Sequence, residues 1–116
     1  MKIYSLFTLT YSTRSMVKER LGIDITNNSY DSTIDSKIIA ADAIIDNSLK
    51  QYTLVPLSNP PQIISDISAD LASGLFRQDR APPNENNFFL ERGGKELHDY
   101  ITSTYLKPVF KKSEEN

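Results

Sequence analysis

The side chains that could do chemistry in this chain are few and scattered. His98 is the only histidine, set between Leu97 and Asp99. A single imidazole on a helix surface is ordinarily a solvated group, and acid–base work would need a second titratable group within hydrogen-bonding reach. There is no cysteine, which removes disulfides, thiolate metal sites and thiol nucleophiles. Four glycines are present, Gly22, Gly74, Gly93 and Gly94, and they match neither the P-loop nor the dinucleotide-binding spacing. No serine stands in a nucleophile elbow.

Two acidic arrangements come closer to a site. Asp24, Thr26, Asn28, Tyr30, Ser32 and Asp35 fall at the ligand positions of a twelve-residue calcium loop. Ser29 stands where that loop needs glycine, and Asp35 where it needs a bidentate glutamate. A polar loop leading into a helix is the plainer account, so neither a metal nor another cofactor is expected. Asp35, Asp42 and Asp46 are seven and four residues apart, which puts them on one side of a helix at about 100° per residue. Such a stripe could be paired carboxylates, an acidic wall, or a solvated face. The solvated face is the default, because acid–base use requires burial that a stripe beside the core does not obviously supply.

Whatever positions these residues must be small and helical. The 116 residues suit one domain with a modest core, and no internal repeat or low-complexity segment interrupts them. A net charge of −2 and a pI near 5.3 lack the basic excess of a dedicated nucleic-acid binder. The opening MKIYSLFTLT is too short and too interrupted for a signal peptide, and no stretch reaches the ~18 apolar residues of a membrane span. A soluble protein made in the cytoplasm, without membrane contact, is expected.

The clearest element lies between Ser32 and Tyr52. Ile34, Ile38, Ala41, Ile45, Leu49 and Tyr52 recur at helical spacing, with Asp31 or Ser32 as cap. Ile39 and Ile44 fall off that stripe, so the helix should meet neighbours on more than one side. A shorter helix precedes it, capped by Ser12, with Tyr11 and Met16 as a hydrophobic staple, and closed by Gly22. A third helix opens at Asn59 with Pro60 in its first turn and ends near Arg80. Its core stripe is Ile64, Ile67, Leu71 and Leu75. A fourth helix runs from about Asn86 to Leu106, where Gly93 and Gly94 each weaken it by about 1 kcal/mol relative to alanine. That predicts a break, or the close approach of another backbone. The whole reads as a small all-α bundle of about four helices with a long central helix: an N-terminal arm (1–10), a helical domain (11–106) and a flexible tail (107–116). An extended, proline-containing connection joins helices two and three. In the tail, Lys107, Val109, Phe110, Lys111 and Lys112 form a segment suited to docking on a partner.

Ala43-Ile44-Ile45-Asp46 and Leu49, then Gln51-Tyr52, Pro56-Leu57, Pro60-Pro61 and Ile64, then Asp70-Leu71-Ala72, carry a recognisable order. In motif and spacing the chain, over roughly residues 11–106, resembles the small head–tail connector (adaptor) proteins of tailed phages and prophages. It departs from them in its longer, more apolar first ten residues and in the Gly93-Gly94 pair. The resemblance implies a structural virion protein at the head–tail junction, without enzymatic activity. Copies would form a ring, commonly twelvefold, under the portal protein; the ring would extend the DNA channel and receive a stopper or tail-completion protein. DNA would pass through without specific binding. On that view Asp35, Asp42 and Asp46 are candidates for the channel wall, and the tail from Lys107 for the portal contact. The residues alone leave open a stand-alone helical interaction module, such as a regulator or antitoxin-like binder.

Overall fold

The computed structural model describes residues 10–82 and 85–106. The arm before Thr10 and the tail residues Lys107, Val109, Phe110, Lys111 and Lys112 lie outside the described residues. Within them the chain is all-α: α1 (Arg14–Leu21), α2 (Asp31–Leu49), α3 (Gln62–Gln78) and α4 (Phe88–Tyr105), with no strand.

Local signals explain most boundaries. α1 is capped by Thr13, whose hydroxyl accepts from the Met16 N–H at 3.3 Å; Ser12, the expected cap, is instead buried. Gly22 closes α1 in the left-handed conformation (φ 73°), and the next amide, Ile23, bonds back to the Lys18 carbonyl. α2 begins at Asp31 with no side-chain cap. α3 starts later than expected, at Gln62: both Pro60 and Pro61 stay outside it, and Pro61, in extended conformation, ends the connection. Asn87 caps α4 through the Leu90 N–H, and its amide also donates to the Gly74 carbonyl at 2.8 Å. That side chain fixes the start of α4 on the flank of α3.

α2 is the longest helix, but α3 holds the centre. It packs against α1, α2 and α4, whereas α2 and α4 lie on different flanks of it. From Ile67 to Gly74 every residue of α3 is buried. Ser68, Ala69, Ala72, Ser73 and Gly74 are small, so helices can close on it from several directions at short interaxial distance. Of the expected core, Ile34, Ile38, Ile45, Leu49, Ile64, Ile67 and Leu71 are buried, joined by Val17, Ala41, Phe76 and Leu97. Tyr52 and Leu75 are corrections: both are only half-buried. Tyr52 lies beyond the end of α2 and stacks on Tyr105 at 5.3 Å. At the end of α3 the adjacent Phe76 takes the inward place, its ring edge-on to Tyr30.

The glycine pair does not break α4, which runs unbroken through both. Gly93 is instead a close approach. A Cβ there would sit 2.8 Å from Leu71 Cδ2 and 3.2 Å from Asp70 Cβ, whereas one at Gly94 would meet nothing within 4 Å. Gly74 makes the reciprocal allowance on α3, where a Cβ would come within 2.7 Å of the Leu90 backbone nitrogen. The α3–α4 contact is a glycine-to-leucine fit in both directions.

Candidate functional site

The polar side chains converge on α1 and the residues just before it. α1 offers the core one fully buried aliphatic residue, Val17, with Met16 and Leu21 half-buried against it, and Lys18 and Arg20 also turn inward. Its docking therefore draws on ion pairs and hydrogen bonds as well as apolar contact. Arg14 forks onto Asp35 (2.8 and 2.7 Å) and reaches Asp31 at 3.3 Å. Lys18, 3% exposed, donates to the Ile25 carbonyl and sits 2.9 Å from Asp31 Oδ1, so this buried ammonium is paired.

The acidic stripe of α2 is occupied by the same segment. Asp42 accepts from the Tyr11 backbone N–H at 2.9 Å and from the Ser68 hydroxyl at 2.7 Å. The Ser12 hydroxyl lies 2.7 Å from that of Ser68, making a buried Ser12–Ser68–Asp42 chain. Asp46 accepts from the Tyr11 phenol at 2.7 Å, and the phenol oxygen in turn accepts from the Leu57 N–H at 2.7 Å. Tyr11 thus ties the N-terminal segment to α2 and to the proline-containing connection. Burial is the main reason the Asp42 carboxyl titrates above the ordinary range; its two donors oppose the shift and the Asp46 charge adds to it. Burial and the Asp46 hydrogen bond likewise push the Tyr11 phenol up. Arg14 holds Asp35 below the usual carboxylate range.

This corrects the picture of Asp35, Asp42 and Asp46 as a free acidic face. All three point toward Arg14 or Tyr11 of their own chain, and Asp42 is largely desolvated. Converting the stripe to lysine would break these contacts before it altered any channel.

A second cluster, not foreseen, joins α1, α3 and α4. Asp70 is 1% exposed and takes Arg20 Nε at 2.7 Å together with a bidentate fork from Arg92 at 2.8 and 2.6 Å. The Glu96 carboxyl faces the same carboxylate, and its buried Oε1 has no other partner among the described residues. Burial alone would raise Asp70, but the bonds from Arg92, Arg20 and Glu96 outweigh it and hold its carboxyl below the ordinary range. Burial and then the Asp70 carboxylate raise Glu96, so of the two acids Glu96 is the one that keeps its proton to higher pH. The clue in the sequence was that Asp70 is the only charge between Ile67 and Phe76. Such a residue is buried with a partner or not buried at all.

In both clusters the buried carboxylates, Asp42 and Asp70, are bonded to donors of their own chain. His98 is exposed on the outer side of α4, where the neighbouring Asp99 is taken by Lys95 at 2.8 Å. Within the calcium-like frame, Asp24 bonds the Thr26 amide and hydroxyl, while Asp35 is committed to Arg14. Among the described residues no three carboxylates or imidazoles converge as a cation would require, and no helix is long and apolar enough to cross a membrane. An open groove of about 350 Å³ lies between Leu21, Ile23, Tyr30 and Phe76. Arg80 stacks over Phe76 at 4.0 Å on its wall, and Arg77 on the rim is paired with Glu85.

Apolar side chains in water are the more telling surface feature. Leu54 is 89% exposed at the connection, Ile39 is 64% exposed on α2, and Ile44 and Ile63 are also exposed. Comparison with protein-family models, with curated proteins and with solved structures finds no match in any of the three.

Proposed function

We propose that this chain is a structural assembly subunit, a head–tail connector of the tailed-phage kind that its sequence resembles. It would form a ring under the portal protein, extend the DNA channel and receive a stopper or tail-completion protein at the neck of the virion. The observation that carries the reading is the presence of exposed apolar residues on separate elements, Ile39 and Ile44 on α2 and Leu54 on the connection. A ring subunit needs at least two different sticky surfaces, because a head-to-tail contact joins unlike patches. Contiguous exposed apolar surface marks an interaction site, and Ile39 and Ile44 lie on one side of α2. The polar clusters fit a structural role as well: they are spent on holding four helices together.

The experiment is electron microscopy of the purified chain mixed with the portal protein of the same genome. A ring of added density on the tail-side end of the portal supports the connector role. Bare portals at high protein concentration turn the assignment to a stand-alone helical interaction module, to which the same exposed residues would belong. If the connector role holds, a chain ending at Leu106 tests the tail. Loss of portal binding assigns Lys107, Val109, Phe110, Lys111 and Lys112 to that contact, and full affinity removes them from it.

A further inference from the structure

The end of α3 carries a cation that its own chain holds in place without neutralising it. Arg80 stands just beyond the helix, its guanidinium 4.0 Å over the Phe76 ring and 5.6 Å from the centre of the Tyr30 ring. One of its N–H groups reaches the Phe76 carbonyl at 3.4 Å. Stacking uses the flat face of a guanidinium, so the donors in its plane stay open to a further acceptor. Among the described residues no carboxylate pairs with it. Asp79 beside it is taken by Lys37 at 2.6 Å, and Glu85 by Arg77 at 3.5 Å. Arg77 and Glu85 cancel, which leaves the charge of Arg80 to the groove, set against apolar walls from Leu21, Ile23, Tyr30 and Phe76.

Shape narrows the class of ligand. The groove of about 350 Å³ is open to solvent, and a second depression of about 120 Å³ adjoins it, bordered by the same Arg77, Ala81, Pro82 and Glu85. A compact small molecule binds by burying most of its surface, which an open trough does not offer. An extended peptide needs only a few anchors along its length. Here they are one acidic side chain on Arg80 and one large apolar side chain against Ile23, Tyr30 and Phe76.

The termini of the same chain do not supply that pair. Residues 1–9 contain neither Asp nor Glu. The C-terminal residues leave α4 at the end far from the groove. Asn87, at the start of α4, bonds the Gly74 carbonyl on α3, whereas Tyr105, at the other end, stacks on Tyr52. α4 spans about 27 Å at 1.5 Å per residue, and Phe110, four residues past Leu106, reaches at most about 14 Å. Val109 and Phe110 therefore fall short of their own groove.

We infer that this groove, between α1 and the end of α3, docks an acidic peptide segment of a partner protein, in which a glutamate or aspartate lies next to a bulky apolar residue. Arg80, already oriented by two rings, takes the carboxylate; the apolar neighbour covers the exposed parts of Ile23 and Tyr30. One ion pair and one or two side chains make a small contact, so an isolated tripeptide should bind with Kd on the order of 1 mM. The inference rests on the groove and not on the connector reading, since a stand-alone interaction module would use it equally.

The test is a proton–nitrogen correlation NMR titration of the full chain with the capped tripeptide acetyl-Leu-Glu-Phe-amide, beside its glutamine and lysine counterparts. The glutamate peptide should shift the amides of Ile23, Tyr30 and Phe76 and the side-chain N–H of Arg80, and the shifts should saturate. The glutamine peptide should bind at least about threefold more weakly, as expected of a forked but solvent-exposed ion pair, and the lysine peptide more weakly still. Arg80→Gln should erase the difference between the glutamate and glutamine peptides. Glu85→Gln should tighten the glutamate peptide, because it frees Arg77 as a second cation on the rim. Both positions are exposed, so neither change threatens the fold. Equal binding of the three peptides, shifts confined to another surface, or no saturable shift at about 10 mM overturns the inference. So do groove resonances that move with protein concentration alone, because they would give the groove to a second copy of this chain. The portal micrographs and this titration can fail independently.

Discussion

The adjacent glycines of α4 should respond unequally to the same substitution, Gly94 gaining stability and Gly93 gaining none. Each Gly→Ala change in a helix interior gains about 1 kcal/mol of intrinsic helix stability. At Gly94 the new methyl group meets nothing within 4 Å, so G94A should stabilise the protein by about that amount. At Gly93 the methyl would lie 2.8 and 3.0 Å from the Leu71 side chain and 3.2 Å from Asp70 Cβ. Leu71 is buried and Asp70 is held by two arginines, so neither can step aside without cost. Overpacking of this kind costs about 1–3 kcal/mol. Net of the helix gain, G93A should range from neutral to about 2 kcal/mol less stable than wild type, and about 1–3 kcal/mol below G94A. Gly74→Ala belongs at the severe end, because its methyl would run into the Leu90 backbone nitrogen at 2.7 Å, which no rotamer change can relieve. The assay is urea unfolding followed by circular dichroism, read as a shift in midpoint at constant slope. Thermal midpoints should separate by about 4–8 °C per kcal/mol in a domain of this size. Equal stability of G93A and G94A within about 0.5 kcal/mol would refute the close approach of α3 and α4 at this point.

Three further outcomes follow from the polar clusters. Asp70→Asn should cost about 3 kcal/mol in urea unfolding, at the low end for a broken buried pair because Arg20 and Arg92 are 18% and 39% exposed. Glu96→Gln should raise stability at neutral pH. The folded state keeps the Glu96 proton above the pH at which the unfolded chain releases it, so wild-type stability falls as pH rises from about 4.3 through the raised folded value; glutamine has no proton to hold. The difference between E96Q and wild type should therefore widen across that window and vanish below it, and a pH-independent difference would contradict the raised proton affinity of Glu96. Tyr11→Phe should destabilise by about 1–2 kcal/mol, because the lost phenol leaves the Leu57 N–H without its acceptor; amide hydrogen exchange at Leu57 should accelerate.

Periodicity in the sequence was enough to specify the four helices, the all-α class and most of the core. An amphipathic stripe has one way to bury itself, so Ile34, Ile38, Ile45 and Leu49 declare α2 without reference to anything else. Gly22 as the end of α1 was equally legible, because few residues accept a positive φ. The sequence also showed which chemistry is missing from its residue types, with no thiol and one histidine. The tertiary structure decided which face of each helix meets which partner. Burial all round α3 was hidden, since serine, alanine and glycine carry little hydropathy signal; they mark close approach only when a neighbour arrives. Gly93 and Gly94 look alike in the sequence, and only the position of Leu71 separates them. The acidic side of α2 had the right spacing for an open wall, but spacing along one helix does not report what lies opposite. Tyr11 lies more than thirty residues from the carboxylates it binds, and Asp70 finds Arg20 and Arg92 on two other helices. A charge's partner, and therefore its protonation, is set by residues distant in the chain, and only the packed fold brings them together.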